Sequence, residues 1–219
     1  MELLASIMKN FDSLCKGYGI TASPESLKQM ARYVDFLFEW NKKINLVSRK
    51  LSREAFYQKH ILDSLLVPLL LKWDINKPKD IADFGSGGGL PGIPLAILCP
   101  CFRIVLVESI EKKAFFLKQA IGKLGLENVS LLSRRIETIQ TPTVYDVILS
   151  RGVGSLKENV RICSSLLKSH GDLVVFKGAS FQAEISGLKP EPRHSIEICP
   201  YLLPSDSKPR HLVVLKKVD

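Results

Sequence analysis

The sequence predicts an α/β protein in which a doubly wound, mainly parallel sheet of seven strands (residues 80–219) follows an N-terminal helical cap (residues 1–79). Three observations support this. Helical periodicity dominates the first part of the 219-residue chain, short apolar runs alternate with helical segments in the second part, and no helical pattern separates the last two apolar runs. Strands that alternate with helices form right-handed βαβ units, whose parallel sheets are covered on both faces.

The cap is predicted from two helical segments. Ser23 and Pro24 are a start signal, because a capping side chain precedes proline at the first helical position. The apolar residues after them recur at intervals of three and four, which indicates one buried stripe. A second apolar helix is expected over residues 54–72, with a break or bend near Pro68.

Seven short apolar runs are the predicted strands. They cover residues 81–84, 104–107, 129–132, 144–149, 173–176, 196–199 and 212–215. The helical segments between and after the first five cover residues 91–98, 110–124, 156–167 and 179–188. Gly125 is a C-cap signal, and the pair His170-Gly171 is typical of a helix end. The last two runs flank a proline-rich connection, so we expect an antiparallel pair that closes the sheet.

Composition excludes several classes of protein. The chain is 46% hydrophobic and 24% charged, which is typical of a globular protein and not of a disordered or collagen-like one. The longest charge-free stretch, residues 84–102, holds five glycines and three prolines, so we expect no membrane span. The five cysteines form no CxxC pair, which favours buried thiols over disulfides or a zinc site. We therefore expect a cytoplasmic protein without a bound metal.

Positive charge is in excess and is unevenly distributed. Thirty-one Lys and Arg against 22 Asp and Glu give a net charge of +9, which favours a polyanionic partner. Residues 41–60 alone hold six cations and one anion. A solvated basic face and a nucleic-acid contact are equal alternatives for this stretch. Its candidate contacts are Lys42, Lys43, Arg49 and Lys50.

A glycine-rich turn at residues 83–89, Asp-Phe-Gly-Ser-Gly-Gly-Gly, follows the first predicted strand. Its glycines permit a close approach of a ligand to the main chain, and the helix that follows supplies free N–H groups. A dinucleotide fingerprint that starts at Gly85 fails because its sixth position is Leu90, and one that starts at Gly87 begins two residues late. The register Gly-x-Gly-x-Gly from Gly85 is the form used by S-adenosylmethionine-dependent methyltransferases.

The second predicted strand ends in Glu108, nineteen residues beyond Gly89. A carboxylate at this strand end can accept hydrogen bonds from both ribose hydroxyls of a nucleoside cofactor. Taken without the glycine turn, Glu108 could also be an exposed residue at a strand end that binds no ligand. The spacing after the glycine turn favours the binding role.

Six short motifs follow one another along the chain. They are Trp40-Asn41-Lys42-Lys43-Ile44-Asn45-Leu46, His60-Ile61-Leu62-Asp63-Ser64, the glycine turn continued by Leu90-Pro91-Gly92-Ile93-Pro94, Ser150-Arg151, Phe176-Lys177-Gly178 and Arg210-His211-Leu212-Val213-Val214. This set resembles the RsmG family, also called glucose-inhibited division protein B. The resemblance implies a Rossmann-like methyltransferase sheet, S-adenosyl-L-methionine as cofactor, and 16S rRNA or the small ribosomal subunit as partner, with methyl transfer to N7 of a guanine.

The resemblance also implies site residues. Arg151 is a positioning candidate for the cofactor or its target base, and Lys177 for an RNA phosphate or the guanine edge. The chain departs from the family at Gly88, where proline or another residue is common, and at Gly152, where the family pattern has alanine. The cofactor residues that the resemblance implies are Gly85, Leu90, Ile136, Glu137 and Arg151; the glycine register adds Gly87, and the second strand end adds Glu108.

The implied chemistry needs no general base, because guanine N7 carries a lone pair that is unprotonated at neutral pH. The enzyme must hold N7 in line with the methyl carbon at roughly 3–3.5 Å and exclude water. His60, Phe56 and Tyr57 lie on an apolar helix, where packing is a commoner role than catalysis or base stacking. A methyltransferase for a small molecule or a different RNA, a nicotinamide-dependent dehydrogenase and a silent rRNA-binding module are the alternatives. We expect a monomer.

Overall fold

The computed structural model describes residues 2–139, 144–178, 181–188, 194–204 and 206–217. Its strands are β1 (Lys79–Phe84), β2 (Phe102–Val107), β3 (Val129–Leu132), β4 (Tyr145–Arg151), β5 (Leu167–Lys177), β6 (His194–Tyr201) and β7 (Arg210–Lys217). They form one sheet in the order β3-β2-β1-β4-β5-β7-β6. The first five strands are parallel, whereas β7 runs antiparallel to both β5 and β6. The predicted sheet, with its antiparallel closing pair, is confirmed.

Eight α-helices accompany the sheet in the described residues. They are α1 (Glu2–Gly17), α2 (Pro24–Asn41), α3 (Arg53–Phe56), α4 (Leu62–Leu70), α5 (Gly92–Leu98), α6 (Glu111–Leu124), α7 (Leu156–Cys163) and α8 (Gln182–Ser186). Two predicted boundary signals are confirmed. The Ser23 hydroxyl accepts a hydrogen bond from the Ser26 N–H at 3.0 Å and caps α2. Gly125 ends α6 in the left-handed conformation with φ +61°.

The second predicted helix contains an irregularity before the position of Pro68. Pro68 does not break the helix but lies inside α4, which ends two residues later at Leu70. The proline therefore removes only one backbone hydrogen bond near the end of the helix. The departure from regular geometry is a π-helical turn at Tyr57–Ile61, directly before α4.

The predicted helix end at His170-Gly171 is wrong, because both residues lie inside β5. Helix α7 already ends at Cys163, and the chain enters β5 after a single 3-10 turn. Pairing with β4 begins at Leu167 and shifts register before the main ladder, so the irregular His170-Gly171 segment is accommodated within the strand. The next predicted helix is shortened to α8; residues 179 and 180, at its expected start, lie outside the described residues.

Apolar side chains cover both faces of the sheet. On one face, cap helices α1, α2 and α4 together with α5 and α6 pack against strand residues such as Ile81 and Val147. On the other face, α7 and α8 pack against the alternate residues Ala82 and Ile148. The cap and the sheet therefore share one continuous core. None of the helices in the described part of the chain is long and apolar enough to cross a membrane.

Candidate functional site

The glycine turn is tied to the ends of two neighbouring strands. The Ser86 hydroxyl donates to the Asp83 carbonyl at 2.7 Å and accepts from the Val107 N–H at 3.0 Å. The Gly85 and Ser86 N–H groups both donate to the Val107 carbonyl, at 2.9 and 3.1 Å. The turn is thus fixed at the carboxyl ends of β1 and β2, where open parallel sheets bind ligands.

Gly85 cannot be replaced by a larger residue without local change. Its φ of +71° is a conformation that residues with a Cβ rarely adopt. A Cβ at this position would lie 2.3 Å from Cγ2 of Val153. Glycine at this position therefore leaves free the space beside the Val153 side chain.

Glu108 follows β2 directly and is 5% exposed. Its Oε2 accepts a hydrogen bond from the Gly87 N–H at 2.9 Å, and its Oε1 accepts one from the Ile110 N–H at 2.8 Å. Each carboxylate oxygen has a second lone pair, so the oriented group retains the capacity to accept bonds from two ligand hydroxyls. Gly87 and Glu108 are thereby joined in one arrangement.

A cavity of about 380 Å³ opens at this edge of the sheet, within the range of roughly 300–1,000 Å³ typical of small-molecule sites. Four of the residues proposed for cofactor binding line it: Gly85, Glu108, Ile136 and Glu137. Leu90 is buried behind the turn and is not among the lining residues. The sequence interpretation missed several further members of the lining, although some of them flank predicted strand ends. These are Phe84, Val107, Ser109, Ile110, Lys113, Arg134, Arg135, Gly152 and Val153.

Asp83 lies beneath the turn and is completely buried. Its Oδ2 accepts a hydrogen bond from the Gly92 N–H at 3.0 Å, whereas its Oδ1 has no partner in the described part of the chain. Burial raises the pKa of this carboxyl to about 7, although the Gly92 N–H and the charge of Arg151 oppose the shift. Asp83 thus joins β1 to the start of α5 as a group that titrates near neutral pH.

Asp63, on cap helix α4, is the centre of a buried polar cluster that the sequence interpretation missed. It is 2% exposed. Its Oδ2 accepts from Nη1 of Arg151 at 3.0 Å, and its Oδ1 accepts from the Tyr201 hydroxyl at 2.6 Å. Nη1 of Arg210 lies 3.4 Å from the same Oδ2. This Asp63 network joins the cap to β4, β6 and β7. The signal in the sequence that could have indicated it is an acidic residue within an apolar helix.

Arg151 ends β4, and its guanidinium is directed into the Asp63 network. Its Nη2 lies 2.9 Å from Nδ1 of His60. Burial lowers the pKa of His60 to about 3, and the positive charges of Arg151 and Arg210 act in the same direction. His60 is therefore a neutral imidazole whose Nδ1 accepts from Arg151. Arg151 is not among the residues that line the cavity, so its contact with the cofactor or target base stays a prediction.

Lys177 ends β5, the strand next to β4. Its Nζ donates to both carboxylate oxygens of Glu184 on α8, at 2.9 and 2.8 Å, and its side chain is 13% exposed. Glu184 also accepts from the Leu156 N–H at 2.6 Å. An RNA contact from Lys177 would require exchange of this ion pair, and that role stays a prediction.

The basic loop, residues 42–50, connects α2 with the segment before α3. Asn41 shapes its backbone: Oδ1 accepts from the N–H groups of Leu46 and Val47 at 2.8 and 3.0 Å, and Nδ2 donates to the Val47 carbonyl at 3.0 Å. The loop presents its cations to solvent. The exposed members are Lys42, Lys43, Arg49 and Lys50.

Comparison with known proteins decides the family. The family model described as rRNA small subunit methyltransferase G (GidB) matches residues 26–212. The chain belongs to this family. A Chlorobaculum tepidum relative named ribosomal RNA small subunit methyltransferase G is 41% identical over 175 residues, which cover 80% of this chain and 79% of the relative. A Bacillus cytotoxicus relative of the same name is 31% identical and covers 96% and 90%, respectively. The resemblance that the six motifs indicated is confirmed.

Solved structures share the fold of this methyltransferase G family member at low sequence identity. An S-adenosylmethionine-dependent O-methyltransferase from Thermotoga maritima has a TM-score of 0.53 and 18% identity, covering 85% of this chain and 71% of that one. An rRNA methylase from Streptococcus thermophilus has a TM-score of 0.52 and 15% identity, covering 71% and 96%. These similarities confirm the Rossmann-like methyltransferase fold.

Proposed function

We propose that this protein transfers a methyl group from S-adenosyl-L-methionine to N7 of a guanine in 16S rRNA, and that it acts as a cytoplasmic monomer. The proposal depends on one observation: in a chain of the methyltransferase G family, the glycine turn donates a hydrogen bond to Glu108 at the edge of the cavity. The name of the relatives supplies the small-subunit RNA as the substrate class.

The residues of the cavity fit this cofactor. Gly85 keeps open the space that a Cβ would fill, and Glu108 is oriented to accept bonds from two ribose hydroxyls. Ile136 and Val153 are apolar members of the lining that suit the adenine ring. When bound, S-adenosyl-L-methionine supplies an electrophilic methyl group on a sulfonium.

The chain's own residues have a positioning task. Guanine presents O6 and N7 as acceptors, and N7 must stay free for attack, so cations should contact O6 or phosphate. Arg151 and Lys177 end neighbouring strands, and each is held by a carboxylate, Asp63 and Glu184. Such pairing restricts the side-chain freedom of the cations before RNA binds. N7 has no proton to remove, so the reaction needs no general base, and His60 is a weak base because its pKa is lowered to about 3 and its Nδ1 accepts from Arg151.

The test is methyl transfer from labelled S-adenosyl-L-methionine to small ribosomal subunits that lack the modification. Chemical cleavage at N7-methylguanine then maps the label. We expect one labelled guanine. Absence of label with the cofactor still bound would contradict the RNA assignment and favour a small-molecule substrate or a different RNA.

Two variants test the cofactor site within this experiment. Glu108→Gln removes the charge that assists the ribose bonds, so it should weaken cofactor binding roughly 10- to 100-fold. Glu111→Gln, an exposed change in the first turn of α6, is the matched control and should bind as the wild type does. Equal affinity of both variants would contradict the role of Glu108.

A further inference from the structure

An exposed pair of aromatic rings lies at the contact between α2 and α6. Trp40, near the C-terminal end of α2, and Phe115, on α6, have ring centroids 5.8 Å apart. Phe115 is 55% exposed, and Trp40 is partly exposed. We call this pair the aromatic platform. A large aromatic ring left this open beside another ring offers a flat apolar surface to a ligand.

The platform is held in place from beneath. The Trp40 ring lies 5.8 Å from the ring of Phe116 and 5.9 Å from that of Phe36, and these two rings stack at 5.7 Å. Phe116 is fully buried. The ring of Trp40 is thus fixed by the core before any ligand arrives, which lowers the ordering cost of binding.

Cations outnumber acids around the platform, where Lys42, Lys43 and Lys112 lie near Glu39 and Glu111. Trp40 lines a cavity of about 230 Å³ together with Lys42, Lys43 and Glu39. Both lysines are exposed. Lys112 is exposed on α6 and lies one turn before Phe115, so the two side chains are neighbours on the helix surface. Cations beside aromatic faces are the combination with which proteins bind single-stranded RNA, since each nucleotide carries one phosphate and one stacking base.

Both helices that carry the platform also contribute a residue to the candidate cofactor site. On α2, the Tyr33 hydroxyl donates to the Gly88 carbonyl of the glycine turn at 2.7 Å. Trp40 follows seven residues later on the same helix face, about 10 Å along the axis. On α6, Lys113 lines the cofactor cavity, and Phe115 lies about 3 Å further along the axis with its side chain on a different face of the helix.

We propose that the aromatic platform stacks an unpaired base of the RNA substrate that neighbours the target nucleotide, while Lys42 and Lys43 contact its phosphates. This inference rests on the proposed function for the identity of the RNA. Phe56 and Tyr57, the aromatic residues first considered for stacking, are completely or almost completely buried and belong to the core.

Tryptophan fluorescence tests stacking directly. The chain has two tryptophans, and a Trp73→Phe variant leaves Trp40 as the reporter. A short single-stranded RNA oligonucleotide should quench this signal saturably. An oligonucleotide of the same length with abasic sugars retains the phosphates and should not quench. Equal quenching by both, or by neither, would overturn the proposal.

Affinity for deproteinised 16S rRNA gives the second test. Phe115→Ala should bind roughly 5- to 100-fold more weakly, and Phe115→Leu, which retains apolar area without an aromatic face, should lose most of that affinity as well. Phe115→Tyr should bind as the wild type does. Ile198→Ala, at an exposed apolar residue of β6, is the matched control. Cofactor affinity should be unchanged in all four.

The outcomes separate this inference from the proposed function. Wild-type affinity of Phe115→Ala for deproteinised rRNA would overturn the platform as an RNA site. A loss of binding to assembled subunits alone would also overturn it, because the partner would then be a ribosomal protein. Quenching by RNA in a protein that methylates no N7 would support the platform and contradict the proposed function.

Discussion

The Asp63 network provides the sharpest test of how the cap is held on the sheet. In an Asp63→Asn variant the side chain keeps its shape and one acceptor oxygen, but it loses its charge and gains an NH₂ group. That NH₂ must face a donor, since Arg151, Arg210 and Tyr201 all surround the carboxylate. The variant therefore removes the counter-charge that Arg151 and Arg210 share, although Arg210 keeps its ion pair with Asp206.

The expected cost follows from burial. Asp63 is 2% exposed, and the side chains of Arg151 and Arg210 are 19% and 27% exposed. Removing one partner of such a buried pair costs about 3–5 kcal/mol of unfolding free energy, and the partial exposure of the arginines places this case near the lower end. Asp35→Asn is the matched control, because Asp35 pairs with Arg53 at side-chain exposures of 46% and 37%. An exposed pair of that kind contributes less than about 1 kcal/mol.

Urea unfolding followed by circular dichroism measures both variants. With a slope of about 2–3 kcal/mol per molar urea, the midpoint of Asp63→Asn should fall by roughly 1–2 M, and that of Asp35→Asn by a few tenths. Similar small shifts in both would refute the argument that the buried carboxylate holds the cap. A changed slope would show instead that the variant alters the unfolded or the native state as a whole.

Four further predictions concern the site and its surroundings. Gly85→Ala should weaken cofactor binding roughly tenfold or more, because its Cβ meets Val153, whereas Gly122→Ala, with no atom within 4 Å of its Cβ, should bind normally in the same calorimetric titration. Asp83 has a pKa raised to about 7, so its contribution to stability should fall by roughly 4 kcal/mol between about pH 4 and pH 7; Asp83→Asn should abolish that fall in urea midpoints. The pKa of His60 is lowered to about 3, so the free energy of unfolding should decrease as the pH falls below about 6.5, and His60→Gln should remove this decrease. If the dependence of the urea midpoint on pH is the same in a variant as in the wild type, the assignment of that residue is contradicted. Glutamine at all four exposed cations of the basic loop should reduce the slope of log K against log salt for single-stranded RNA by roughly 3, and an unchanged slope would place the contacts elsewhere.

Local signals in the sequence were sufficient for most of the fold. The alternation of strand and helix predicted the sheet, and five of the seven apolar runs have a glycine, a proline or a charged residue on at least one side. Ser23 and Gly125 marked helix ends because capping depends on a few neighbouring residues. The predicted helix end at His170-Gly171 was wrong because the apolar spacing at residues 156–167 is compatible both with a helix and with the start of a strand. Pairing with β4, which the sequence does not show, decides between the two.

The part of the candidate site that consists of residues adjacent to predicted strand ends could be predicted from the sequence. The glycine turn and Glu108 are adjacent to strand ends, so their proximity follows from the parallel sheet. The partners of Arg151 were not predictable in this way, because Asp63 lies 88 residues away and reaches it only through packing of the cap. The pairing of Lys177 with Glu184 likewise depends on where α8 lies against β5, which periodicity does not specify.

The contacts that hold the cap have a consequence for synthesis of the chain. Asp63 is translated 138 residues before Tyr201, and the hydroxyl of Tyr18, the residue after α1, donates to the carbonyl of Leu202, 184 residues away. At about 5–20 residues per second, the ribosome adds those 138 residues in roughly 7 to 28 s. During that interval the apolar face of the cap is not yet covered by the closing strands, and Asp63 lacks the hydrogen bond from Tyr201. The emerging chain is thus a candidate for chaperone binding until its final hairpin leaves the ribosome.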